Sequence, residues 1–245
     1  MASTRPVPVL LHGFLGFERI GPINYFRGVA SALRLAGISP LIPRLPATGC
    51  VAARAAELAI VLRRHPAHAF ALVGHSMGGL DARYAIAHLD PDHRIRSLLT
   101  VATPHRGTAV AERLLTGAGP LSAVARRWWS RALTDLDPQT RLQEPIPDRA
   151  DVAYLSYAGR RPRHELPVFL RSFADIMTDD NDGLVPLSSA GWGDFRGVLR
   201  ADHFEIVGWS LGLRDRKAGR PFNHIPFWRQ AVQEAIACAI GGREA

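Results

Sequence analysis

The chain has 245 residues, of which 47% are hydrophobic, and its formal net charge is +8. This length and composition suit a single domain with a sizeable core. No run of about 18 apolar residues occurs, which argues against a transmembrane helix. The positive charge comes from scattered arginines, with Lys217 as the only lysine. Because nucleic-acid-binding proteins concentrate basic residues in a patch or stripe, we expect no nucleic-acid partner.

Short apolar runs alternate with helical periodicity along most of the sequence. The pattern predicts strands at residues 7–11, 39–45, 69–75, 95–104, 168–175 and 195–201, and helices at residues 25–37, 51–65, 78–89 and 226–241. Strands that alternate with helices are typical of a mostly parallel sheet with helices on both faces. The sequence therefore predicts an α/β fold.

The segment 108–149 interrupts this alternation. It contains glycines and prolines, yet it is too apolar for a disordered insertion. We predict a small helical cap, inserted after the strand that ends near Thr103 into a single domain over residues 1–245. The large apolar side chains of this segment either pack on the core or contact a hydrophobic substrate; they are Leu114, Leu115, Leu121, Trp128 and Trp129.

One serine lies among glycines at the end of a predicted buried strand. The stretch from Gly74 to Gly78 reads GHSMG, which fits the pattern G-x-S-x-G, and a predicted helix follows it. In this context the serine sits on a sharp strand-to-helix turn that exposes its hydroxyl at the edge of the sheet. We therefore predict that Ser76 is a nucleophile rather than an ordinary turn serine.

A serine hydroxyl needs a base, and the base needs an orienting acid. In folds with this turn, the acid and then the histidine follow the serine along the chain. The stretch MTDDNDGLVP offers Asp182, with Asp179 and Asp180 as alternatives, and RADHFEIVG offers His203. We predict Asp182 as the acid and His203 as the base; the alternative histidines are His164 and His224.

Acyl transfer also needs two N–H donors for the oxyanion. One donor is expected to be the backbone N–H of the residue after the serine, Met77. The other is expected from the loop after the first strand, where LHGFLGF places Phe14 after Gly13. The alternative interpretation of this second segment is an ordinary connection between a strand and a helix.

Several motifs in this order resemble the bacterial true lipases of the Pseudomonas, Burkholderia and Proteus type. They are LLHGFLGF, VGHSMGGLDARY, VATPHRGT, NDGLVPLSSAGWG and RADHFEIVGW, and they lie between Val7 and Gly212. The resemblance implies an α/β-hydrolase fold with a lid over residues 108–149. It implies the triad Ser76, Asp182 and His203 and the oxyanion donors Phe14 and Met77.

The implied activity is that of a serine ester hydrolase, a lipase or carboxylesterase for esters with medium to long acyl chains. The implied partners are a lipid or small ester substrate and, transiently, a lipid interface. No cofactor is required for this chemistry. The alternative function is a short-chain carboxylesterase or thioesterase without interfacial activation. A hydrolase-like binding protein is a further alternative, although such a protein would be expected to lack a triad residue.

Some positions depart from the family that the chain resembles. The family often binds a structural calcium through an aspartate two residues after the histidine, where this chain has Glu205, and Trp209 occupies a second ligand position. Glu205 is therefore only a weak candidate ligand for calcium. Cys50 and Cys238 do not match the family's disulfide, and we expect free thiols. The resemblance implies secretion, but the chain shows no leader, so location stays open between secreted and cytoplasmic.

Overall fold

Five parallel strands form the central sheet in the computed structural model, which describes residues 5–16, 19–20, 23–210 and 221–241. The strands are β1 (Val7–Leu11), β4 (Phe70–His75), β5 (Ile95–Val101), β6 (Ala153–Gly159) and β7 (Asp194–Leu199), hydrogen-bonded in that order. A short antiparallel pair, β2 (Arg19–Ile20) and β3 (Ile23–Asn24), follows β1. All five strands of the main sheet run parallel, as the alternating pattern predicts.

Helices cover both faces of the sheet. They are α1 (Val29–Leu35), α2 (Val51–Arg63), α3 (Met77–His88), α8 (Val168–Ala174), α9 (Leu187–Ala190) and α10 (His224–Gly241), and α4 to α7 lie in the cap region described below. In β4, Val73 packs with α1 and α10. Leu72 points the other way and packs with α2 and α3. Because successive strand residues face opposite sides, every residue of β4 is buried.

The prediction and the structure differ at two predicted strands and at one strand that was not predicted. Residues 168–175, predicted as a strand, form helix α8 instead. Its buried positions are Leu170 and Ala174, four residues apart, which is helical spacing. The strand β6 was not predicted, because Ser156 and two tyrosines interrupt its apolar pattern. The predicted strand 39–45 is reduced to one bridge between Leu41 and Val9.

Between β5 and β6 the chain forms short helices. These are α4 (Ala109–Thr116), α5 (Pro120–Val124), a π-helical turn (Ala125–Trp129), α6 (Ser130–Asp135) and α7 (Pro138–Gln143). Ala111, Ala132 and Leu133 from this region pack against Met77 and Leu80 of α3. This region, called the cap below, therefore covers the end of the sheet where Ser76 lies.

Three further predictions concern termini, thiols and membrane spans. Cys50 and Cys238, both within the described residues, carry free thiols. Some positions that the sequence analysis used lie outside the described residues. They are Phe17 of the LLHGFLGF motif, Lys217 and the two ends of the predicted 1–245 domain. Among the helices of the described ranges, none combines the length and apolar character needed to cross a membrane.

Candidate active site

Ser76 joins the end of β4 to the start of α3. Its backbone has φ 55° and ψ −132°, a conformation that residues other than glycine rarely adopt. Two hydrogen bonds hold it there: its N–H donates to the carbonyl of Val101 (2.9 Å), and the Thr103 hydroxyl donates to its carbonyl (2.8 Å). The turn predicted from the sequence is therefore present. Hydrogen bonds from the end of β5 and from Thr103, just after it, keep the serine in this strained backbone conformation.

The glycines on either side of Ser76 are required by close packing. A Cβ atom on Gly74 would lie 2.6 Å from the backbone nitrogen of Gly79. A Cβ atom on Gly78 would lie 2.5 Å from the carbonyl oxygen of Leu11, at the end of β1. Any side chain at either position would push α3 away from the sheet and move the serine.

His203 and Asp182 form the pair predicted from their order in the chain. The His203 Nδ1–H group donates to Asp182 Oδ2 at 2.7 Å, and both side chains are almost fully buried. The other carboxylate oxygen accepts the N–H groups of Leu184 (3.0 Å) and Val185 (2.8 Å). The carboxylate is thus fixed from both sides, and it fixes the orientation of the imidazole ring.

Asp182 reaches this position by a route that the sequence did not indicate. It follows helix α8 rather than a strand, but its loop lies against the end of β6. The Arg161 N–H donates to the carbonyl of Asn181 at 3.1 Å. A Cβ atom on Gly159 would lie 2.9 Å from the Cβ of Asp182. The backbone N–H of His203 also donates to the carbonyl of Asp182 (3.0 Å), so the two loops are bonded directly.

The structure places the alternative residues elsewhere. Asp180 forms an exposed ion pair with Arg160, and Asp179 accepts the backbone N–H of Ser188. His224 is bonded to the carbonyl of Arg27, and most of the His164 side chain is in solvent. Of the candidate bases and acids, only His203 and Asp182 are brought together.

The loop after β1 lies against Ser76. A Cβ atom on Gly13 would lie 2.7 Å from the Cβ of Ser76. Phe14 is the next residue in this turn, and Met77 is the first residue of α3. The first N–H groups of a helix lack partners within the helix. Both predicted oxyanion donors are therefore backbone groups next to the serine.

Two side chains that the sequence did not single out hold this loop. The Gly13 N–H donates to the hydroxyl of Tyr25 (3.1 Å), which is hydrogen-bonded to Nδ1 of His75 (2.7 Å). Burial, and then the neighbouring His203, lowers the pKa of His75 well below its usual value, so its ring is neutral. The two imidazole rings of His75 and His203 lie 4.6 Å apart. Tyr25 thus connects the loop to the residue that precedes Ser76.

Arg54 holds the same loop from the other side. Its guanidinium donates to the carbonyl of His12 (2.6 Å) and to Asp81 (2.8 Å), and both charged side chains are fully buried. The sequence did carry a signal here, because Arg54 lies on the apolar face of α2 beside Val51 and Leu58. A charged residue on such a face is rarely buried without a partner.

A cavity of about 610 Å³ connects these groups to the cap. Ser76 and His203 are among its few polar lining groups. Most of its wall is apolar, and the lining side chains include Phe14, Leu15, Val110, Leu114, Leu121, Trp129, Leu133, Leu136, Phe169, Phe173, Phe204 and Trp209. Of the cap residues singled out from the sequence, Leu114, Leu121 and Trp129 line the cavity, whereas Trp128 is 67% exposed.

Glu205 does not fit a calcium site, because its carboxylate is already paired. The Arg161 guanidinium donates to Glu205 (2.9 Å) and to Glu165 (2.7 Å), and all three side chains are buried. Within the ranges that the structure describes, no group of three or more His, Cys, Asp and Glu side chains could hold a metal ion. A protein cation, the Arg161 guanidinium, therefore neutralises the carboxylate near His203.

Comparisons with known proteins agree with this architecture. A metagenomic carboxyl esterase superposes with a TM-score of 0.71 at 25% identity, covering 98% of this chain and 77% of that one. A mature Bacillus licheniformis lipase superposes with a TM-score of 0.68 at 21% identity, covering 84% and 88%. The parallel sheet, its two helical layers and these similarities define an α/β-hydrolase fold.

Sequence similarity identifies the family. The family model described as the PGAP1-like alpha/beta domain matches residues 58–189, more than half of the chain. The chain therefore belongs to the PGAP1-like α/β-domain family. It is also 28% identical over 211 residues to triacylglycerol lipase 2 of Saccharomyces cerevisiae and 37% identical over 116 residues to a triacylglycerol lipase of Pseudomonas fragi. These matches cover 79% and 46% of this chain, but only 65% and 39% of the relatives.

Proposed function

We propose that the protein is a serine ester hydrolase with Ser76 as the nucleophile, His203 as the base and Asp182 as the orienting acid. The observation that carries the proposal is one apolar cavity lined by both Ser76 and His203, with His203 bonded to Asp182 on its other side. Hydrolases and lipases named among the similar proteins support the same reaction class. The cap over residues 108–149 is proposed as a lid on this cavity.

The proposed reaction has two steps. Ser76 Oγ attacks the ester carbonyl carbon while His203 Nε2 takes its proton, and Asp182 stabilises the imidazolium that forms. The N–H groups of Phe14 and Met77 bind the oxyanion. When the intermediate collapses, the C–O bond breaks and His203 returns the proton to the leaving alcohol. Water, activated by His203, then releases the acid from the acyl-enzyme.

The cavity supports a substrate with a medium to long apolar acyl chain. Its volume of about 610 Å³ and its aromatic and aliphatic walls suit such a chain. Burial of each CH₂ group in a cavity of this kind stabilises the complex by about 0.8 kcal/mol. Affinity is therefore expected to rise with acyl length. The short-chain carboxylesterase or thioesterase is the alternative that the same triad would serve.

The finer part of the proposal is that this protein belongs with the bacterial true lipases. The elbow, the NDGLV motif and the DH motif support it. Triacylglycerol lipases of Pseudomonas fragi and Vibrio cholerae, 37% and 31% identical over about half of the chain, support it as well. Sequence comparison over the cap would test this placement, because the cap carries the weakest resemblance.

The test is a series of initial rates on p-nitrophenyl esters from acetate to palmitate and on emulsified triolein. The parent is compared with Ser76→Ala and with Ser172→Ala, a matched change at an exposed serine of α8. We expect Ser76→Ala to abolish hydrolysis and the parent to prefer long chains. A parent limited to short chains would favour the esterase alternative. Equal rates for both variants and the parent would contradict the assignment of the nucleophile.

A further inference from the structure

Thr108 lies at the junction between the sheet and the cap. It is the last residue of the VATPHRGT motif, it directly precedes α4, and the proposed reaction gives it no role. Its backbone N–H donates to the carbonyl of Leu136 (2.9 Å), at the end of α6. Its hydroxyl oxygen accepts the N–H of Val110 (3.3 Å), in the first turn of α4. Thr108 is therefore bonded to two separate parts of the cap.

The hydrogen of the Thr108 hydroxyl points away from the cap. It is donated to the carbonyl oxygen of Leu184 at 2.6 Å, 76 residues farther along the chain. This acceptor is much closer than the sulfur of Met177, at 3.9 Å. A hydroxyl has one hydrogen to donate, and a residue that caps a helix N-terminus does so by accepting an N–H. The bond to Leu184 is therefore not part of helix capping and has a separate effect.

The Leu184 carbonyl belongs to the same peptide group as the N–H of Val185. That N–H donates to Asp182 Oδ1 at 2.8 Å, and the other carboxylate oxygen accepts the Nδ1–H of His203 at 2.7 Å. One chain of hydrogen bonds therefore runs from the Thr108 hydroxyl through a peptide group and a carboxylate to the imidazole. A hydrogen bond to the carbonyl polarises a peptide group, which strengthens its N–H as a donor.

The turn at residues 182–185 gains from a bond made by another segment. Its own backbone bond, from the Asp182 N–H to the Val185 carbonyl, is 3.3 Å long. Gly183 inside the turn has a φ of 99°, in the left-handed region that glycine adopts freely. Thr108, Asp182 and Val185 are all buried, so water competes little for these hydrogen bonds. The Thr108 hydroxyl therefore contributes to the shape of the turn that carries the acid.

We propose that Thr108 is a positioning residue that acts through Asp182. By holding the peptide group between Leu184 and Val185, its hydroxyl keeps the Asp182 carboxylate in the orientation that His203 needs for proton transfer. Because the cap fixes the backbone of Thr108, the position of the cap sets this orientation. The inference rests on the proposed function, since it concerns the same triad.

The test compares Thr108→Val, which keeps the shape of the side chain without its hydroxyl, with Thr108→Ser, which keeps the hydroxyl. Initial rates of the full chain are measured on p-nitrophenyl acetate and octanoate. We expect Thr108→Val to lower kcat about tenfold on both esters, with KM within twofold, because one hydrogen bond of ordinary strength corresponds to about this factor. Thr108→Ser should keep kcat within twofold of the parent. Where Thr108→Val does not fold, Thr108→Ala against Thr108→Ser gives the same comparison.

Thr108 also lines the cavity, and the two esters separate that role from positioning. A wall residue affects a long acyl chain more than an acetyl group, whereas the orientation of Asp182 affects both equally. A loss confined to octanoate, or a rise in KM with kcat unchanged, would overturn the inference. So would a Thr108→Ser variant as slow as Thr108→Val.

The matched control is Ser97→Ala. Ser97 is buried in β5, and its hydroxyl donates to the backbone carbonyl of Ala235 at 2.7 Å, at the end of the sheet away from Ser76. Both Ser97→Ala and Thr108→Val take a hydroxyl donor from a backbone carbonyl, so urea unfolding should show similar shifts of the midpoint. Only Thr108→Val should lower kcat. An equal fall of kcat in Ser97→Ala would assign the loss to stability and overturn the inference.

A double-mutant cycle tests whether Thr108 acts through Asp182. In Asp182→Asn the carboxylate is gone, so adding Thr108→Val should change the residual kcat less than twofold. A further tenfold fall would show that the hydroxyl acts independently of Asp182 and would overturn the inference. Hydrolysis that persists in Ser76→Ala would refute the proposed function. Hydrolysis abolished by Ser76→Ala, together with parental kcat in Thr108→Val, would refute this inference alone.

Discussion

The carboxyl-terminal end of the sheet around Ser76, called the edge below, and the cap above it are built in opposite ways. At the edge, charged side chains are buried and paired, as in Arg54 with Asp81 and Arg161 with Glu205. In the cap, the helices are five to eight residues long, and α7 buries none of its side chains. Trp128 points into solvent. The edge positions atoms through many specific contacts, whereas the cap supplies apolar area.

This difference assigns different tasks to the two regions. Catalysis needs reacting groups held within a fraction of an ångström, which requires side chains fixed by packing and hydrogen bonds. Binding of an acyl chain or a lipid surface needs apolar area, which is not directional. Changes at the edge should therefore reduce rate or stability sharply, and changes in the cap should alter substrate preference.

The largest effect is expected at Asp182. Asp182→Asn keeps the shape of the side chain but removes the charge that orients and stabilises the His203 ring, so kcat should fall about 10⁴-fold. Asp180→Asn, which changes an exposed carboxylate two residues away, should leave kcat within twofold. Initial rates on p-nitrophenyl butyrate measure both. Similar losses in the two variants would remove the distinction between a fixed edge and its surroundings.

Arg161 tests the stability of the edge. Arg161→Met leaves Glu165 and Glu205 buried without this cation, and breaking such a pair should cost about 3–5 kcal/mol of unfolding free energy. The control is Arg163→Met, whose ion pair with Asp175 is exposed and screened by solvent, so its loss should leave the unfolding free energy nearly unchanged.

Urea unfolding measures both variants, with and without a chelator. Because a guanidinium occupies the Glu205 carboxylate, the chelator should leave the parent's unfolding midpoint unchanged. A midpoint that drops when the chelator is added would show that a metal, rather than Arg161, neutralises this carboxylate.

The edge should also make the protein sensitive to acid. Burial, with Arg54, lowers the pKa of His12 to about 4, and burial lowers the pKa of His75 and His105. These three rings are neutral in the folded protein, and on unfolding they take up protons at any pH below about 6.5. Their contribution to the free energy of unfolding is therefore fully present above that pH and is lost as the pH falls towards 4. For His12 this loss is about 3 kcal/mol.

Urea unfolding between pH 7.5 and 4.5 tests this expectation. His12→Asn should reduce the slope of stability against pH, and His164→Asn, at an exposed position, should not. The cap helices contain no histidine, so they should add nothing to the slope. A slope that depends equally on His12 and His164 would contradict the assignment.

The smallest effect is expected in the cap. Trp129→Ala removes an aromatic wall of the cavity and its edge-on contact with Phe14. We expect kcat/KM for palmitate esters to fall about tenfold, with acetate esters within twofold, because a long acyl chain buries far more apolar area against the cavity wall than an acetyl group does. Trp128→Ala is the matched control and should change neither value for dissolved esters. Loss on acetate esters equal to that on palmitate would place the cap in the catalytic machinery.

The sequence predicted the parts of the site that depend on local pattern. The turn at Ser76 follows from glycine spacing between a strand and a helix, and the Asp182 and His203 pairing was expected from chain order. Helix α8 and strand β6 were not predicted correctly, because apolar runs of this length do not separate strand from helix. Ser156 of β6 is buried through hydrogen bonds with the backbone of Trp192, a partner 36 residues away.

The residues that hold the site were the least predictable. Tyr25 and His75 are 50 residues apart, and Arg161 and Glu205 are 44 apart, so no local pattern marks either pair. Arg54 was missed as well, although its charge on the apolar face of α2 is a local sign of a buried partner. Positioning contacts of this kind arise only when the fold brings distant segments together.

The most direct test of the central claim is covalent labelling of the nucleophile. An organophosphate ester such as diethyl p-nitrophenyl phosphate forms a stable phosphoester with an activated serine. We predict one label per chain, located on Ser76 by mass spectrometry of the digested protein, and loss of ester hydrolysis in proportion to labelling. His203→Asn should slow labelling strongly. Inactivation with the label on another residue, or hydrolysis that persists in a fully labelled protein, would contradict the account.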